Sequence, residues 1–439
     1  MTNIQKKSNP TRHTINYSSD KMAQKFDNQY FSSQMYKIAK PLDNNTDLVI
    51  HPHDVSAVYK TLLFRMRNVA KKNYTIKETK EQRKPRIQYC GYSLTANDST
   101  PVNLCKGKSG SIYFNGIANC GGYWRCPVCA VKISEHKKEF LSKLIIEHQK
   151  KGLKVGFLTL TVRHKKTEPL KKSLDKLLKN YRQFQMSRFF QKSKAENGFI
   201  GQVKTLEITW SEDNGWHPHL HLLYFYNSDS YVNAQSFQMD VISRWFKFKD
   251  NNGLLKAQNQ QVLNSDISDY VAKYDITSEM TKGQIKGSKG LTPFTALGKL
   301  CLGDFETFEE KRRLYALYTC YVEQTFGKHF VNVSNSIREL YKEFLEDIDK
   351  TDDEIVNESD IDEILLKISV NVWKKICKND LQPLIINKFK ENGLDGVYAL
   401  LTYFKDFNDL DIITDKQDYQ LLINTQDANE ENMRELCTL

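Results

Sequence analysis

The sequence predicts an α+β protein built on an antiparallel sheet with helices packed on one face. Three observations predict it. VGFLTLTV (155–162) has the β-branched and aromatic content of a strand. EPLKKSLDKLLKNYRQF (168–184) spaces Leu170, Leu174, Leu177, Leu178 and Tyr181 at helical intervals, as an amphipathic helix requires. Two further strand-like runs, QVKTLEITW (202–210) and HPHLHLLYF (217–225), flank the turn sequence SEDNGW, so they read as a hairpin.

The other elements follow along the chain. Residues 1–50 are polar, rich in Asn, Ser and Lys, and lack periodicity, so they read as disordered. SAVYKTLLFRMRNVAKKN (56–73) reads as a basic helix. Residues 85–130 are cysteine-rich and broken by ANDSTP and GKSGS, which predicts short strands and turns. A helix starts near Lys132, with Ile133, Phe140, Leu141, Leu144 and Ile145 as its apolar stripe. Residues 305–425 read as mostly helical. The expected domains are a polar N-terminus (1–50), a helix and cysteine-rich module (51–135), a core (136–300) and a helical acidic C-terminal domain (301–439).

Length and charge narrow the class. At 439 residues the chain has room for two or three domains. No apolar run reaches the roughly 18 residues of a membrane span, and the first 20 residues hold no apolar leader core. Nine cysteines, an odd number, argue against a disulfide framework and fit a cytoplasmic chain. Residues 301–439 carry 16 Lys+Arg and 29 Asp+Glu, a net of −13, which leaves residues 1–300 at +24. A body so basic fits a polyanionic partner, nucleic acid first.

GWHPHLHLLYF (215–225) places His217, His219 and His221 on alternate positions. In a strand these share one face, and imidazoles so grouped suit a divalent cation. Pro218 cannot donate to a ladder, so the strand is expected to start there or to lie at an edge. With the hairpin centred on Asn214, Glu207 falls opposite His221, on the solvent side of the sheet. Two histidines and a carboxylate could hold Mg²⁺ or Mn²⁺. DISDYVAKYDIT (266–277) reads as a helix with Tyr270, Lys273 and Tyr274 on one face. A tyrosine hydroxyl beside a divalent cation can attack a phosphodiester. Cys126 and Cys129 form CPVC, with Cys120 and Cys90 upstream and Cys105 to spare; Cys90, Cys120, Cys126 and Cys129 are the expected ligands of one structural Zn²⁺.

FLTLTVRH (157–164), WHPHLH (216–221) and YVAK (270–273), in that order, resemble the three motifs of HUH endonucleases, specifically the rolling-circle replication initiators of bacterial plasmids. The flanks NCGGYWRCPVCAVKI (119–133) and TFGKHFVNVSNSIREL (325–340) are similar to that group as well. The resemblance implies a ferredoxin-like sheet, metal ligation by His219 and His221, and a tyrosine that nicks one DNA strand and stays on the 5′ phosphate. His217 and Glu207 then compete for the third ligand position. Tyr270 matches the Tyr-x-x-Lys pattern through Lys273, whereas Tyr274 has Thr277 at the corresponding place. Asp266 stands four residues before Tyr270, where related initiators carry an acidic residue that helps water end the cycle; it would also serve as a helix N-cap. No Walker A pattern occurs, so origin DNA, a host helicase and a host polymerase are the implied partners. A relaxase, a transposase and a non-catalytic zinc-containing DNA-binding regulator are the rival readings.

Overall fold

The computed structural model describes residues 55–73, 86–92, 101–108, 110–227, 231–251, 259–263, 290–343, 349–403 and 412–413. From Thr61 onward they belong to one compact unit. Its centre is a five-stranded antiparallel sheet in the order β6-β3-β5-β4-β7. The strands are β3 (Val155–Thr161), β4 (Phe199–Ser211), β5 (Gly215–Tyr226), β6 (Asn259–Leu263) and β7 (Val331–Val333). The expected hairpin is β4 and β5, and the histidine strand β5 lies in the middle of the sheet.

A proline in a central strand needs an explanation, since it was expected at a strand start or an edge. The ladder with β3 runs from Val155 opposite Phe225 to Thr161 opposite His219, and there β3 ends. Pro218 lies one residue beyond, where β5 pairs with β4 only. That end of β5 is locally an edge, so a missing N–H costs little.

The sheet is covered on both faces, not one. Val155, Phe157, Val203, Leu223 and Phe225 share a face and pack under helix α2 (Pro127–Lys150), through Phe140, Leu141, Leu144 and Ile145. Ile337 and Tyr341 of the short helix Asn335–Tyr341 complete this core. The opposite face presents Leu220, Leu222, Tyr224 and Tyr226, all buried. There α3 (Leu170–Gln185), α4 (Arg188–Glu196) and α5 (Tyr231–Lys247) supply Tyr181, Phe184, Phe190, Phe237 and Trp245. Tyr181 donates to Gln202 at 2.6 Å, and Phe190 packs edge-on against Tyr224. Long apolar runs in β3 and β5 follow from this two-sided burial.

The C-terminal region is not purely helical. β8 (Ile361–Ile368) pairs antiparallel with β1 (Val102–Gly107), which also pairs with β2 (Ile112–Asn115), and β9 (Ile412–Ile413) follows on the far side. The alternation that marks a strand is weak in IDEILLKI, whose outer half is exposed, so helix composition around it hid it. The segment before the CPVC run also meets chain from far downstream. Trp124 Nε1 donates to the Lys328 carbonyl at 2.6 Å, and Tyr123 stacks on Phe330.

Candidate functional site

Among the described residues, two groups of side chains could each hold a metal ion: Cys90, Cys120, Cys126 and Cys129, and Glu207, His219 and His221.

The sulfur group is assembled from a short 3₁₀ turn (Arg86–Tyr89) that delivers Cys90, the loop at Cys120, and the N-terminus of α2. Cys126 is the N-cap of α2 and Pro127 opens its first turn, where a missing N–H is harmless. Cys90 Sγ lies 3.7 Å from the sulfurs of both Cys126 and Cys129, and Cys120 Sγ lies 3.7 Å from that of Cys129. A disulfide would bring two sulfurs to about 2.05 Å, so these are four free thiols. A tetrahedral ion with metal–sulfur bonds of about 2.3 Å needs sulfurs about 3.8 Å apart; these three distances match that spacing, and all four sulfurs lie within 4.8 Å of one another, so the donor set suits zinc. All four residues are buried. Hydrogen bonds from Cys120, Cys126 and Cys129 hold the Cys90 thiol below its ordinary range, whereas burial pushes Cys126 up. Cys105, the spare, sits in β1 and is not part of the group.

The second group sits on adjacent rungs of the β4–β5 hairpin, at the end of the sheet face that α2 covers further down. The observed register corrects the expected one. Ser211 pairs with Gly215, which makes Glu212, Asp213 and Asn214 the loop and Asp213 its centre. Gly215 holds φ +70°, the left-handed position that closes a three-residue hairpin loop. Glu207 is therefore opposite His219, and Thr205 is opposite His221. A shift of two residues keeps every side chain on its expected face, because the side-chain period is two. The carboxylate still reaches both rings: Glu207 Oε2 is 2.6 Å from His219 Nε2 and 2.7 Å from His221 Nε2.

This group is buried rather than solvated, with Glu207 and His221 at 2 % exposure and His219 at 8 %. Burial alone would push the Glu207 carboxyl up; the charges and hydrogen bonds of His219 and His221 outweigh it and hold the group well below the ordinary carboxylate range. The far sides of the rings are held too. Thr159 Oγ1 meets His221 Nδ1 at 3.1 Å, and His219 Nδ1 lies 3.3 Å from the His217 carbonyl. Phe157 stacks on His221. Both Nε2 atoms thus converge on one carboxylate while their Nδ1 atoms are occupied, which is how imidazoles are set to ligate a metal. Three donors leave positions open on a divalent cation, unlike the closed sulfur set.

His217 lies one rung further out. Its Nδ1 pairs with His164 Nε2 at 2.8 Å, and it does not join Glu207, His219 and His221 within ligand distance. Sequence reasoning missed His164 and Thr159. Thr159 lies in β3 and His164 three residues past its end; the alternation of Thr159 and Thr161 with Leu158 and Leu160 was the available signal for Thr159. Asp266, Tyr270, Lys273 and Tyr274 lie outside the described residues. The described chain resumes at Gly290, and Leu291 bridges to Trp210, beside Thr209 and its partner His217.

Comparison with known proteins gives the family. The chain is 26 % identical over 148 residues to a protein called Protein rep from Streptomyces lividans, a stretch covering 28 % of this chain and 32 % of that one. It is 37 % identical over 105 residues to a Protein rep of Bacillus amyloliquefaciens, covering 22 % of this chain and 28 % of the relative. A Protein rep of Lentilactobacillus hilgardii is 30 % identical over 116 residues, 25 % of this chain and 35 % of the relative. The matched stretches thus span about a third of these relatives' lengths. No solved structure matches. The family model described as Replication protein matches residues 118–381, more than half of the chain and a span that includes both Glu207 and the two histidines. This chain belongs to the replication protein family.

Proposed function

We propose that the protein initiates rolling-circle replication of a plasmid by nicking, and later rejoining, one DNA strand at the origin. The observation that carries the proposal is the convergence of Glu207, His219 and His221 on one buried point of a central hairpin. The replication family and the basic charge of residues 1–300 support a DNA substrate. On this reading the five-stranded sheet is an HUH core.

Glu207, His219 and His221 would hold Mg²⁺ or Mn²⁺, which when bound polarises a phosphoryl oxygen as a Lewis acid. Tyr270 is the nucleophile. Its hydroxyl gives up its proton as the oxygen bonds to phosphorus, the phosphorus–O3′ bond breaks, and the departing 3′ oxygen takes up a proton in exchange, so no net proton is gained or lost. The product is a free 3′ hydroxyl, a primer for polymerase, and a 5′ phosphotyrosine. Lys273, three residues on in the sequence, favours the phenolate by its charge. Tyr274 is either a second nucleophile for strand transfer or a packing residue, and Asp266 orients water at the end of the cycle. Cys90, Cys120, Cys126 and Cys129 hold a structural Zn²⁺ that shapes the start of α2. Strand unwinding and synthesis fall to a host helicase and polymerase.

The test is cleavage of supercoiled origin DNA, and of a single-stranded origin oligonucleotide, with Mn²⁺. The expected result is a nick with a covalent adduct on Tyr270, absent in Tyr270→Phe and in excess EDTA. Full nicking in EDTA, or an adduct on Tyr274 with Tyr270→Phe fully active, would refute the assignments.

A further inference from the structure

The sulfur group has a charge problem. Four thiolates around one divalent cation carry a net charge of −2, and here the sulfurs are buried. An uncompensated buried charge is expensive, so a cation should stand close by. Helix α1 (Val55–Asn73) brings two. Arg67 is 3 % exposed, and Lys71 follows one turn later.

The position of Arg67 is specified by the residue after Cys90. Gly91 has φ +84°, and a Cβ built on it would stand 2.2 Å from Arg67 Nη1. The guanidinium fills the space a side chain would occupy, pressed against the backbone that carries a sulfur ligand. Arg67 Nε is buried and has no hydrogen-bond partner. Burial would weaken the guanidinium charge, but charge at Cys90 and Cys126 outweighs it. Lys71 is pushed down to about 8 by burial, and Cys90 acts on it in the opposite sense. Its Nζ rests 4.1 Å from the Tyr92 ring centre. The other nearby anion, Asp380, is held by Asn68 Nδ2 at 2.6 Å and shares its charge between Arg65 and Arg67.

We infer that buried Arg67 and half-buried Lys71 are the counter-charges of the Cys90–Cys120–Cys126–Cys129 metal centre, with Arg67 the principal positioning residue. The inference rests on the reading of that group as a zinc centre. It makes metal binding a joint property of the cysteine module and α1. The lock extends downstream, because the Gly91 carbonyl accepts from Trp373 Nε1 at 3.2 Å.

The experiment measures zinc affinity of the full chain by competition with a chromophoric chelator, after elemental analysis of the wild type. Folded wild type without zinc would remove the zinc reading, and the inference with it. With zinc present, Arg67→Met should weaken binding by about tenfold or more, the range seen when outer partners of metal ligands are lost. Arg67→Lys, which keeps the charge, should recover most of that loss. In a Cys120→His background the centre carries one negative charge fewer, so the Arg67→Met penalty should shrink to about threefold or less, a coupling that a packing role would not produce. Equal affinity of Arg67→Met and wild type, or an undiminished penalty in the Cys120→His background, would overturn the inference. Should Arg67→Met fail to fold, Lys71→Met carries the same comparison. A several-fold loss that shrinks with Cys120→His supports the inference, and wild-type affinity overturns it.

Discussion

The two candidate metal groups differ in how they are built. The sulfur group draws Cys90, Cys120, Cys126 and Cys129 from a 3₁₀ turn, a loop and a helix N-terminus, and shuts itself off with four like donors. The second group takes Glu207, His219 and His221 from facing rungs of one hairpin and has only three donors. Chain that must be gathered from several places needs a ligand to hold it, whereas a sheet holds its side chains without one. The first arrangement is suited to structure and the second to chemistry. α2 joins them: Cys129 stands in its first turn, and its C-terminal half packs on the sheet face that carries Glu207 further along.

The comparison breaks first if the sulfur group is dispensable. Stripping zinc, or Cys126→Ser, should unfold the segment around residues 86–126, since structural zinc contributes on the order of 10 kcal/mol in small modules. Differential scanning calorimetry and proteolysis would read it; unchanged melting after complete metal removal contradicts a structural role.

The opposite pattern is expected at the hairpin. His219→Ala with His221→Ala should leave the melting profile within a few degrees of wild type but reduce nicking by about a thousandfold, as loss of several kcal/mol of transition-state stabilisation implies. Collapse of the fold in that variant would show the hairpin to be as metal-dependent as the sulfur group.

His148, near the C-terminal end of α2, tests the helix that connects the two. Its Nε2 faces the carbonyls of Lys154 at 3.2 Å and Tyr226 at 3.0 Å, and its Nδ1 meets Tyr341 Oη at 2.5 Å. That network suits a neutral ring, and burial pushes its pKa down to about 4 from 6.5. Between those values the unfolded chain binds a proton that the folded chain does not. Stability from this group is therefore full above pH 6.5 and is lost as pH falls towards 4, by up to about 3 kcal/mol. Denaturant melts across pH 4–7 should show this loss, and His148→Gln should flatten it. An unchanged pH profile in the variant assigns the acid sensitivity elsewhere.

The smallest effect sharpens the hairpin side. Thr159→Val removes the hydroxyl at His221 Nδ1 while keeping the β-branched shape. Affinity of the hairpin group for Mn²⁺, measured by calorimetry or paramagnetic relaxation, should fall about tenfold. No change would mean that Phe157 stacking alone orients the ring.

Periodicity and spacing made much of this legible. The stripe Ile133, Phe140, Leu141, Leu144 and Ile145 is buried as the helical spacing requires. The alternation of histidines with Leu220, Leu222 and Tyr224 assigned faces correctly, and Glu207 lay on the histidine side. Local patterns record which way a side chain points because that depends only on the residue's own backbone. They do not record what lies above it. The hairpin centre at Asp213, set by the left-handed Gly215, was one residue away from the position that symmetry of the turn sequence favoured.

The sequence by itself determined the α+β class, the hairpin, the polarity of its two faces and which side chains are candidate donors, all of which follow from residue type and short-range spacing. Only the tertiary structure decided which donors meet. It buried the Glu207 rung instead of leaving it to solvent, set His217 against His164 rather than against the other donors, added β7 and β8 from far downstream, and pressed Arg67 onto Gly91 beside Cys90. Contacts between residues distant along the chain are fixed by how all the apolar faces can be covered at once, and no local stretch of sequence carries that information.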